Sequence, residues 1–321
     1  MVTGERPAAI TTALQDSILA WYEGARRDLP FRATRDPYAV LVSEAMAQQT
    51  QAARAGEAWT GFMATWPTPA ALAAAAPADV LRAWQGLGYN RRALNLWRAA
   101  RRIVAVHRGE VPADLVALQA LPGIGPYTAR AIGALAFGMA VGAVDTNVRR
   151  VLGRIVAGDG TALGATETQR VADAAVPPDR PGPWTHAVMD LGATVCRPRN
   201  PDCGRCPARA WCRYAASADD GTTPGNGTTR GDGTAAGAGR KPAVPFPTTS
   251  RWLRGRIVDR LRDAPGNAWT IIDGPIGGHD HDAVAIAIAA LARDGVIELD
   301  DVALAPADGP ALPRRARLPT P

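Results

Sequence analysis

Lysine is almost missing from this chain of 321 residues: of its 36 basic side chains, Lys241 alone is a lysine. The first 240 residues therefore contain no side-chain amine that can form a Schiff base. The sequence also lacks an apolar run of 18 residues and a basic-then-apolar leader over residues 1–29. We therefore expect a cytoplasmic chain that is neither exported nor embedded in a membrane.

Strand-like alternation is nearly absent from the first two thirds of the sequence. Residues 8–215 instead repeat apolar positions at three-to-four spacing, interrupted by glycine and proline, which predicts many short helices. The hydrophobic fraction of 47% supplies enough material for a real core. The net charge of +6 and a pI near 9.6 fit a polyanionic partner, although composition alone is a weak indicator.

A change of composition marks a domain boundary after residue 215. Residues 216–247 are dominated by Gly, Thr, Ala and Asp and predict a flexible linker. Residues 248–308 then contain two amphipathic helices and an alternating segment at 295–305, which predict a small winged-helix-like α+β module. Such a module either lays a helix on DNA or serves only for packing, and the sequence does not separate the two. Residues 309–321 are predicted to be a disordered tail.

The chain has few cysteines, and all four lie within seventeen residues. Two disulfides are uncommon in a cytosolic chain, so the group of four cysteines indicates a metal site. Zinc sites usually pair their ligands in two short knuckles, whereas only one C-x2-C pair is present here, and thiolates alone also suit a [4Fe-4S] cluster. Spacing favours iron–sulfur but leaves zinc open. The candidate ligands are Cys196, Cys203, Cys206 and Cys212.

A glycine-containing helical hairpin and two acidic residues form the second group of candidates. Gly123 and Gly125 lie between helical segments, where backbone N–H groups can reach a phosphate. Asp145 follows an apolar turn and opens a helix, so taken alone it reads as an N-cap. Glu44 is either a surface residue or, given its apolar neighbours, a buried acid with a raised pKa.

Taken together, these features resemble the helix-hairpin-helix DNA glycosylase superfamily that carries an iron–sulfur loop. The resemblance runs from about Leu29 to Cys212, and the string Ser43-Glu-Ala-Met-Ala-Gln-Gln-Thr50 is similar to the MutY-type adenine glycosylases. It implies a mainly α, two-lobed fold in residues 1–215. A six-helix lobe covers about 30–140, and a cluster lobe takes 1–29 and 141–215.

The resemblance also implies roles for individual residues. Glu44 protonates a flipped adenine at N7, Asp145 stabilises the positively charged sugar, Asn147 holds Asp145, and Tyr127 lies beside the pair. The partner is double-stranded DNA with a mismatched or oxidised base pair, bound by a monomer in the bacterial nucleoid. The implied DNA-binding residues are Arg32, Gln48, Gln49, Thr50, Leu87, Tyr89, Gly123 and Gly125.

The sequence departs from the family pattern in two places. Phe31 precedes Arg32 where a tryptophan is usual, and no Nudix-like domain that reads 8-oxoguanine follows the linker. Relatives that also cut the strand use a hairpin lysine where this chain has Tyr127, so strand cleavage through a lysine imine is excluded. Two alternatives stay open: a thymine or uracil mismatch glycosylase of the same fold, and a non-catalytic, metal-stabilised DNA-binding regulator.

Overall fold

The computed structural model describes residues 10–219, 245–300 and 314–320 and is mainly helical. Its helices are α1 (Thr12–Ala25), α2 (Pro37–Ala47), α3 (Ala52–Thr65), α4 (Pro69–Ala74), α5 (Pro77–Ala83), α6 (Arg91–His107), α7 (Leu115–Gln119), α8 (Pro126–Ala136), α9 (Thr146–Ala157), α10 (Ala165–Ala175), α11 (Pro181–Thr194), α12 (Arg213–Asp219), α13 (Ser250–Arg262) and α14 (His281–Arg293). The strands are β1 (Thr270–Ile272), β2 (Glu298–Leu299) and β3 (Arg314–Arg317).

Capping residues and prolines explain where many of these helices begin. The side chain of Asp114 accepts a hydrogen bond from the backbone N–H of Ala117 at 2.8 Å, and Asp280 does the same for Ala283 at 2.9 Å. These bonds satisfy amides that have no partner within the helix. Proline occupies the first position of α4, α5, α8 and α11, where its missing N–H costs nothing.

The described residues form two compact units. The first contains residues 10–44, 113–120 and 124–219, and the second contains 45–112, 121–123, 245–300 and 314–320. These boundaries differ from the lobe boundaries near 29 and 140 that the sequence predicted. The residues after the linker also join the second unit instead of standing apart. Most of the predicted linker, 220–244, lies outside the described residues.

The core of the first unit is built from the apolar faces of α1, α9, α10 and α11. Leu14 and Ile18 of α1 are fully buried and belong to the same cluster as Val151 of α9 and Leu191 of α11. Trp184, 3% exposed, adds the largest side chain to this cluster. Removing so much apolar surface from water is the main force that holds these helices together.

The second unit has its own core around Trp84, which is fully buried. The ring of Phe62 meets it edge-on at a centroid distance of 6.1 Å. Leu72 of α4 and the α6 residues Leu94 and Ile103 are also buried, and α4 packs along α6. Aromatic pairs in this geometry add stabilisation beyond the buried area.

The predicted α+β module is present, and β2 lies within the predicted alternating segment at 295–305, but the sequence did not indicate β1 and β3. α13 packs on α14, and the sheet has the antiparallel order β1-β3-β2. The central strand is β3, in the segment predicted to be a disordered tail, and that prediction was wrong. Ala316 and Leu318 are fully buried, which ties this segment to the module. The second half of the predicted alternating segment, 301–305, lies outside the described residues.

None of the helices in the described ranges combines the length and the apolar character that crossing a membrane needs.

Candidate active site

Glu44, Tyr127 and Asp145 come together within the first unit. Glu44 lies near the end of α2, Tyr127 in the first turn of α8, and Asp145 immediately before α9. The Tyr127 hydroxyl donates a hydrogen bond to the Glu44 carboxylate, and the charge of Asp145 acts on both groups. Three residues that are far apart in sequence therefore share one electrostatic environment.

The environment of Glu44 favours its protonated form. Burial raises the pKa of Glu44 to about 7; the negative charge of Asp145 adds to the rise, while the Tyr127 hydrogen bond and Arg32 oppose it. Burial, together with the charges of Glu44 and Asp145, raises the pKa of Tyr127 well above its usual value. Glu44 is thus poised to exchange a proton near neutral pH, while Tyr127 stays a neutral donor.

Asp145 is an N-cap, as the simplest interpretation of the sequence had it, but the cap engages one of its two oxygens. Oδ1 accepts the backbone N–H of Val148 at 2.7 Å. Oδ2 accepts the side-chain amide of Asn147 at 3.0 Å. The capping role and the predicted holding of Asp145 by Asn147 therefore coexist in the same side chain.

Arg150 extends this contact towards the cysteine loop, and sequence reasoning missed it. Its guanidinium donates to the Asn147 side-chain oxygen at 2.8 Å and to the backbone oxygens of Gly192 and Cys196 at 2.7 Å each. The sequence feature that could have identified Arg150 is its position three residues after Asn147, which places the two side chains on the same side of α9. Asn147 is therefore held in one orientation, with its amide donating towards Asp145.

Gly192 allows α11 to approach Asn147 closely. A Cβ atom added at Gly192 would lie 2.6 Å from the Cβ of Asn147, and 3.2 Å from its backbone atoms. That distance is shorter than packed carbon atoms tolerate. The geometry of Asn147 depends on the absence of a side chain at position 192, which the sequence pattern did not indicate.

Arg32 was predicted to bind DNA, but the structure gives its guanidinium another partner. Both Nη atoms of Arg32 bond to Asp190, which is fully buried, and Arg27 donates to the same carboxylate at 2.6 Å. Burial raises the pKa of Asp190, but the hydrogen bonds and charges of these arginines lower it below its usual value. This buried network gives Arg32 a structural role instead of a place on the surface.

Two loops of the second unit carry five of the predicted DNA-binding residues. Gln49 and Tyr89 have backbone φ angles of +54° and +47° and exposed side chains. Gln48 and Thr50 are partly buried, whereas Leu87 is 4% exposed and belongs to the core. A left-handed backbone conformation is unusual for glutamine and tyrosine, so contacts with other residues must stabilise these two loops.

Arg92 holds both loops, and no sequence pattern pointed to it. Its guanidinium donates to the backbone oxygens of Gln48, Leu87 and Gly88 and to the Thr50 hydroxyl, the last at 3.0 Å. It also donates to the last carbonyls of α2. Burial lowers the pKa of Arg92 to about 10, still far above neutral, so the side chain remains charged.

The glycine-containing hairpin keeps its two glycines exposed. Gly123 has a φ of +81°, and a Cβ there would lie 2.7 Å from that of Asn95, so glycine is required on both counts. Gly125 is the residue before α8, and Pro126 occupies the first helical position. The backbone at the start of α8 is therefore free of bulky side chains.

The four cysteines line one cavity. Its wall also includes Arg154, whose Nη1 lies 3.4 Å from the Cys196 sulfur. Burial raises the pKa of the Cys206 thiol to about 12. Within the described ranges, no group of three or more His, Cys, Asp or Glu side chains has the arrangement that a single metal ion needs. The four thiols thus share one cavity.

Comparison with known proteins identifies the family. Residues 42–177 match the model of the HhH-GPD superfamily of base excision DNA repair proteins. The chain is 42% identical over 249 residues to the adenine DNA glycosylase of Mycolicibacterium smegmatis, spanning 77% of this chain and 80% of that protein. It is 44% identical over 220 residues to the adenine DNA glycosylase of Homo sapiens, spanning 65% of this chain and 40% of that protein.

Solved structures agree with this assignment at the level of the fold. A thermostable thymine-DNA glycosylase superposes with a TM-score of 0.60 and 30% identity, over 63% of this chain and 95% of that one. The helical architecture and the matching family model make this chain a helix-hairpin-helix base-excision repair protein. Over most of its length, it belongs to the adenine DNA glycosylase family. The predicted mainly α, helix-hairpin-helix fold and the family resemblance are confirmed.

Proposed function

We propose that this chain removes mispaired adenine from double-stranded DNA as a monofunctional base-excision glycosylase. The observation that carries the proposal is the raised pKa of Glu44, about 7, in contact with Tyr127 and beside Asp145. A buried carboxyl group with a raised pKa can serve as the acid, and a second carboxylate near it can stabilise developing positive charge. The opposite base is 8-oxoguanine or guanine.

The reaction assigns one task to each acid. Glu44 donates its proton to N7 of adenine while the bond between C1′ and N9 breaks. The electron pair of that bond leaves with the base. The carboxylate of Asp145 stabilises the positive charge that develops on the sugar. A water molecule then bonds to C1′ and returns a proton to Glu44, which leaves an abasic sugar and free adenine.

Tyr127 and Asn147 prepare these groups without taking part in bond changes. The Tyr127 hydroxyl orients the Glu44 carboxyl, and the Asn147 amide holds the oxygen of Asp145 that the cap leaves available. The first 240 residues contain no lysine, so no amine is at hand to attack C1′ and cut the strand. This supports base release without strand cleavage.

Binding of the duplex falls to backbone groups and exposed loops. Gly123 and Gly125 offer N–H groups to phosphate, while Gln49 and Tyr89 are exposed residues that can fill the gap left by a flipped base. Gln48 and Thr50, on either side of Gln49, support the loop that carries Gln49. The burial of Leu87 and the ion pair of Arg32 favour structural roles for those two residues.

We propose a [4Fe-4S] cluster as the cofactor, held by Cys196, Cys203, Cys206 and Cys212. The donor set is thiolate only and lines one cavity, and Arg154 places positive charge beside it. Four thiolates with only one short C-x2-C pair suit a cluster better than a structural zinc ion, which usually takes its ligands from two such pairs. When bound, the cluster would hold the arginine-rich loop 197–209 between the end of α11 and the start of α12, where its arginines can meet phosphate.

A glycosylase assay on four duplexes tests the proposal: A opposite 8-oxoguanine, A opposite G, T opposite G and U opposite G, each followed by alkali. We expect release from the two adenine duplexes, strand breaks only after alkali, and loss of release in Glu44→Gln. Glu57→Gln, which neutralises an exposed acid on α3, is the control. Base release that persists in Glu44→Gln would contradict the assigned acid.

Excision of thymine or uracil opposite guanine is the second candidate. It is favoured by the structural similarity to a thymine-DNA glycosylase. A pyrimidine has no N7, so its release does not need the acid at Glu44. Activity on the T and U duplexes alone would establish this alternative, and zinc binding without release from any duplex would instead support a DNA-binding regulator.

A further inference from the structure

The residues after the linker pack against the part of the second unit that carries Tyr89. Arg262 of α13 donates to the Leu81 backbone oxygen at 2.9 Å and to the side chain of Asn90, the residue after Tyr89, at 2.8 Å. Its own side chain is 6% exposed. Arg254 pairs with Asp294 within the module. The contacts of Arg262 fix the last turn of α13 against Leu81 and Asn90.

Arg251, in the first turn of α13, covers the ring of Tyr89. Its guanidinium carbon lies 4.1 Å from the ring centroid and 5.9 Å from that of Phe246. Both distances fall within the range of cation–π attraction. One guanidinium nitrogen lies 3.7 Å from where a Cβ of Gly88 would be, so the contact reaches the loop backbone as well.

The charge of Arg251 is not neutralised where the structure describes its surroundings. Its side chain is exposed, and no carboxylate among the described residues pairs with it. Arg92 approaches the same ring, with its guanidinium carbon 5.7 Å from the Tyr89 centroid. Two positive charges therefore flank a tyrosine that is itself 41% exposed. Uncompensated arginines beside an exposed aromatic ring are typical of nucleic-acid surfaces.

We propose that the C-terminal module supplies a DNA-binding residue: Arg251 holds the Tyr89 ring by stacking on it and contacts a phosphate of the duplex with its exposed edge. This rests on the proposed function in taking duplex DNA as the partner. The module thereby acts on the target through one defined side chain of α13. The helix itself need not enter a groove.

The phosphate contact is tested by the salt dependence of binding to an undamaged, fluorescently labelled duplex. Arg251→Gln removes one contact, so the slope of log Kd against log salt should fall by about 0.9, with binding weakened about three- to tenfold. Arg260→Gln removes an exposed charge from the same helix and should leave the slope near that of the unaltered chain. Equal slopes for the two variants would overturn the contact. Melting curves of both variants verify that the module is folded.

The stacking is tested by Arg251→Lys, which keeps the charge but loses the flat guanidinium. We expect its salt slope to match the unaltered chain, while its single-turnover excision of A opposite 8-oxoguanine is slowed. In a Tyr89→Leu background, the same substitution should have no further effect. Unchanged excision by Arg251→Lys, or equal slowing in both backgrounds, would refute the stacking role.

The salt-slope test separates the inference from the proposed function, whereas the stacking test reads out excision and rests on that function. The undamaged duplex is not a substrate, so the salt slope reports on Arg251 whether or not any base is released. Failure of the unaltered chain to release adenine from any duplex would refute the glycosylase proposal and leave the slope comparison valid.

Discussion

The hydroxyl of Tyr127 donates a hydrogen bond to the carboxylate of Glu44, and each group changes the ionisation of the other. The bond favours the charged form of Glu44, while burial and Asp145 disfavour it more strongly. The balance leaves a carboxyl group with a pKa of about 7 in a chain that operates on DNA. The proposed chemistry follows from this pair, and so do the first two predictions.

Activity should depend on pH through Glu44. The acid must be protonated, so the single-turnover rate is expected to be flat below pH 7 and to fall about tenfold per pH unit above it. Glu44→Gln should lower the rate by at least about 100-fold below pH 7, and the difference should shrink above pH 7 as the acid of the unaltered chain ionises. A rate that rises through this range would mean that the reaction needs the ionised form instead.

The same raised pKa makes stability depend on pH. The folded chain binds this proton more tightly than the unfolded chain, so the stabilising contribution is present below the ordinary value of 4.5 and is lost as pH rises through about 7. Glu44→Gln should therefore melt at a higher temperature than the unaltered chain at about pH 8. The difference should shrink as the pH is lowered.

Tyr127→Phe should move the pH profile without abolishing activity. Removing the hydroxyl removes an interaction that lowers the pKa of Glu44, so the descending limb is expected to shift upward by about one pH unit or less. Tyr38→Phe serves as a control, because this tyrosine is buried on α2 without acting on the pKa of Glu44. A downward shift would contradict the assigned hydrogen bond.

Gly192→Ala should impair excision without a change in any acid. The new Cβ would overlap Asn147, so Asn147 must move away from Asp145 or α11 must shift, at a cost of about 1–3 kcal/mol. We expect a slower single-turnover rate and a lower melting temperature. Gly24→Ala, at an open position on α1, should leave the rate unchanged and raise stability slightly.

Arg92→Met should release the two loops that carry Gln49 and Tyr89. It strips several carbonyls of their donor, which we expect to cost at least about 2 kcal/mol in the free energy of unfolding. Arg91→Met is the matched control, because the Arg91 side chain is largely exposed. Chemical denaturation compares the two, and equal losses would show that Arg92 has no special role.

Single Cys→Ser substitutions should each reduce the bound iron and sulfide. The unaltered chain should carry iron and acid-labile sulfide in equal amounts and show thiolate-to-iron absorption. Zinc in place of iron, measured by elemental analysis of protein purified without air, would overturn the cofactor proposal. Thr65→Ala, which removes an exposed hydroxyl at the end of α3 in the second unit, controls for general instability.

The sequence predicted the features that are carried by local patterns. Helical periodicity and capping residues predicted a mainly helical fold, and the motif around Glu44 indicated the family. It did not reveal Arg92 or Arg150, because both bond mainly to backbone carbonyls of distant segments, which leave no mark on residue identity. The β3 strand was missed because its arginine-rich sequence lacks apolar alternation, although Ala316 and Leu318 are buried.

One consequence follows from the way Asp145 divides its two oxygens. Asparagine caps helices as well as aspartate does, and its side-chain oxygen can accept the same N–H of Val148. The cap on α9 therefore does not depend on the negative charge at position 145. Asp145→Asn would keep this cap but turn a side-chain NH2 towards the Asn147 NH2, which Arg150 holds as a donor, so the charge and one hydrogen bond are lost together.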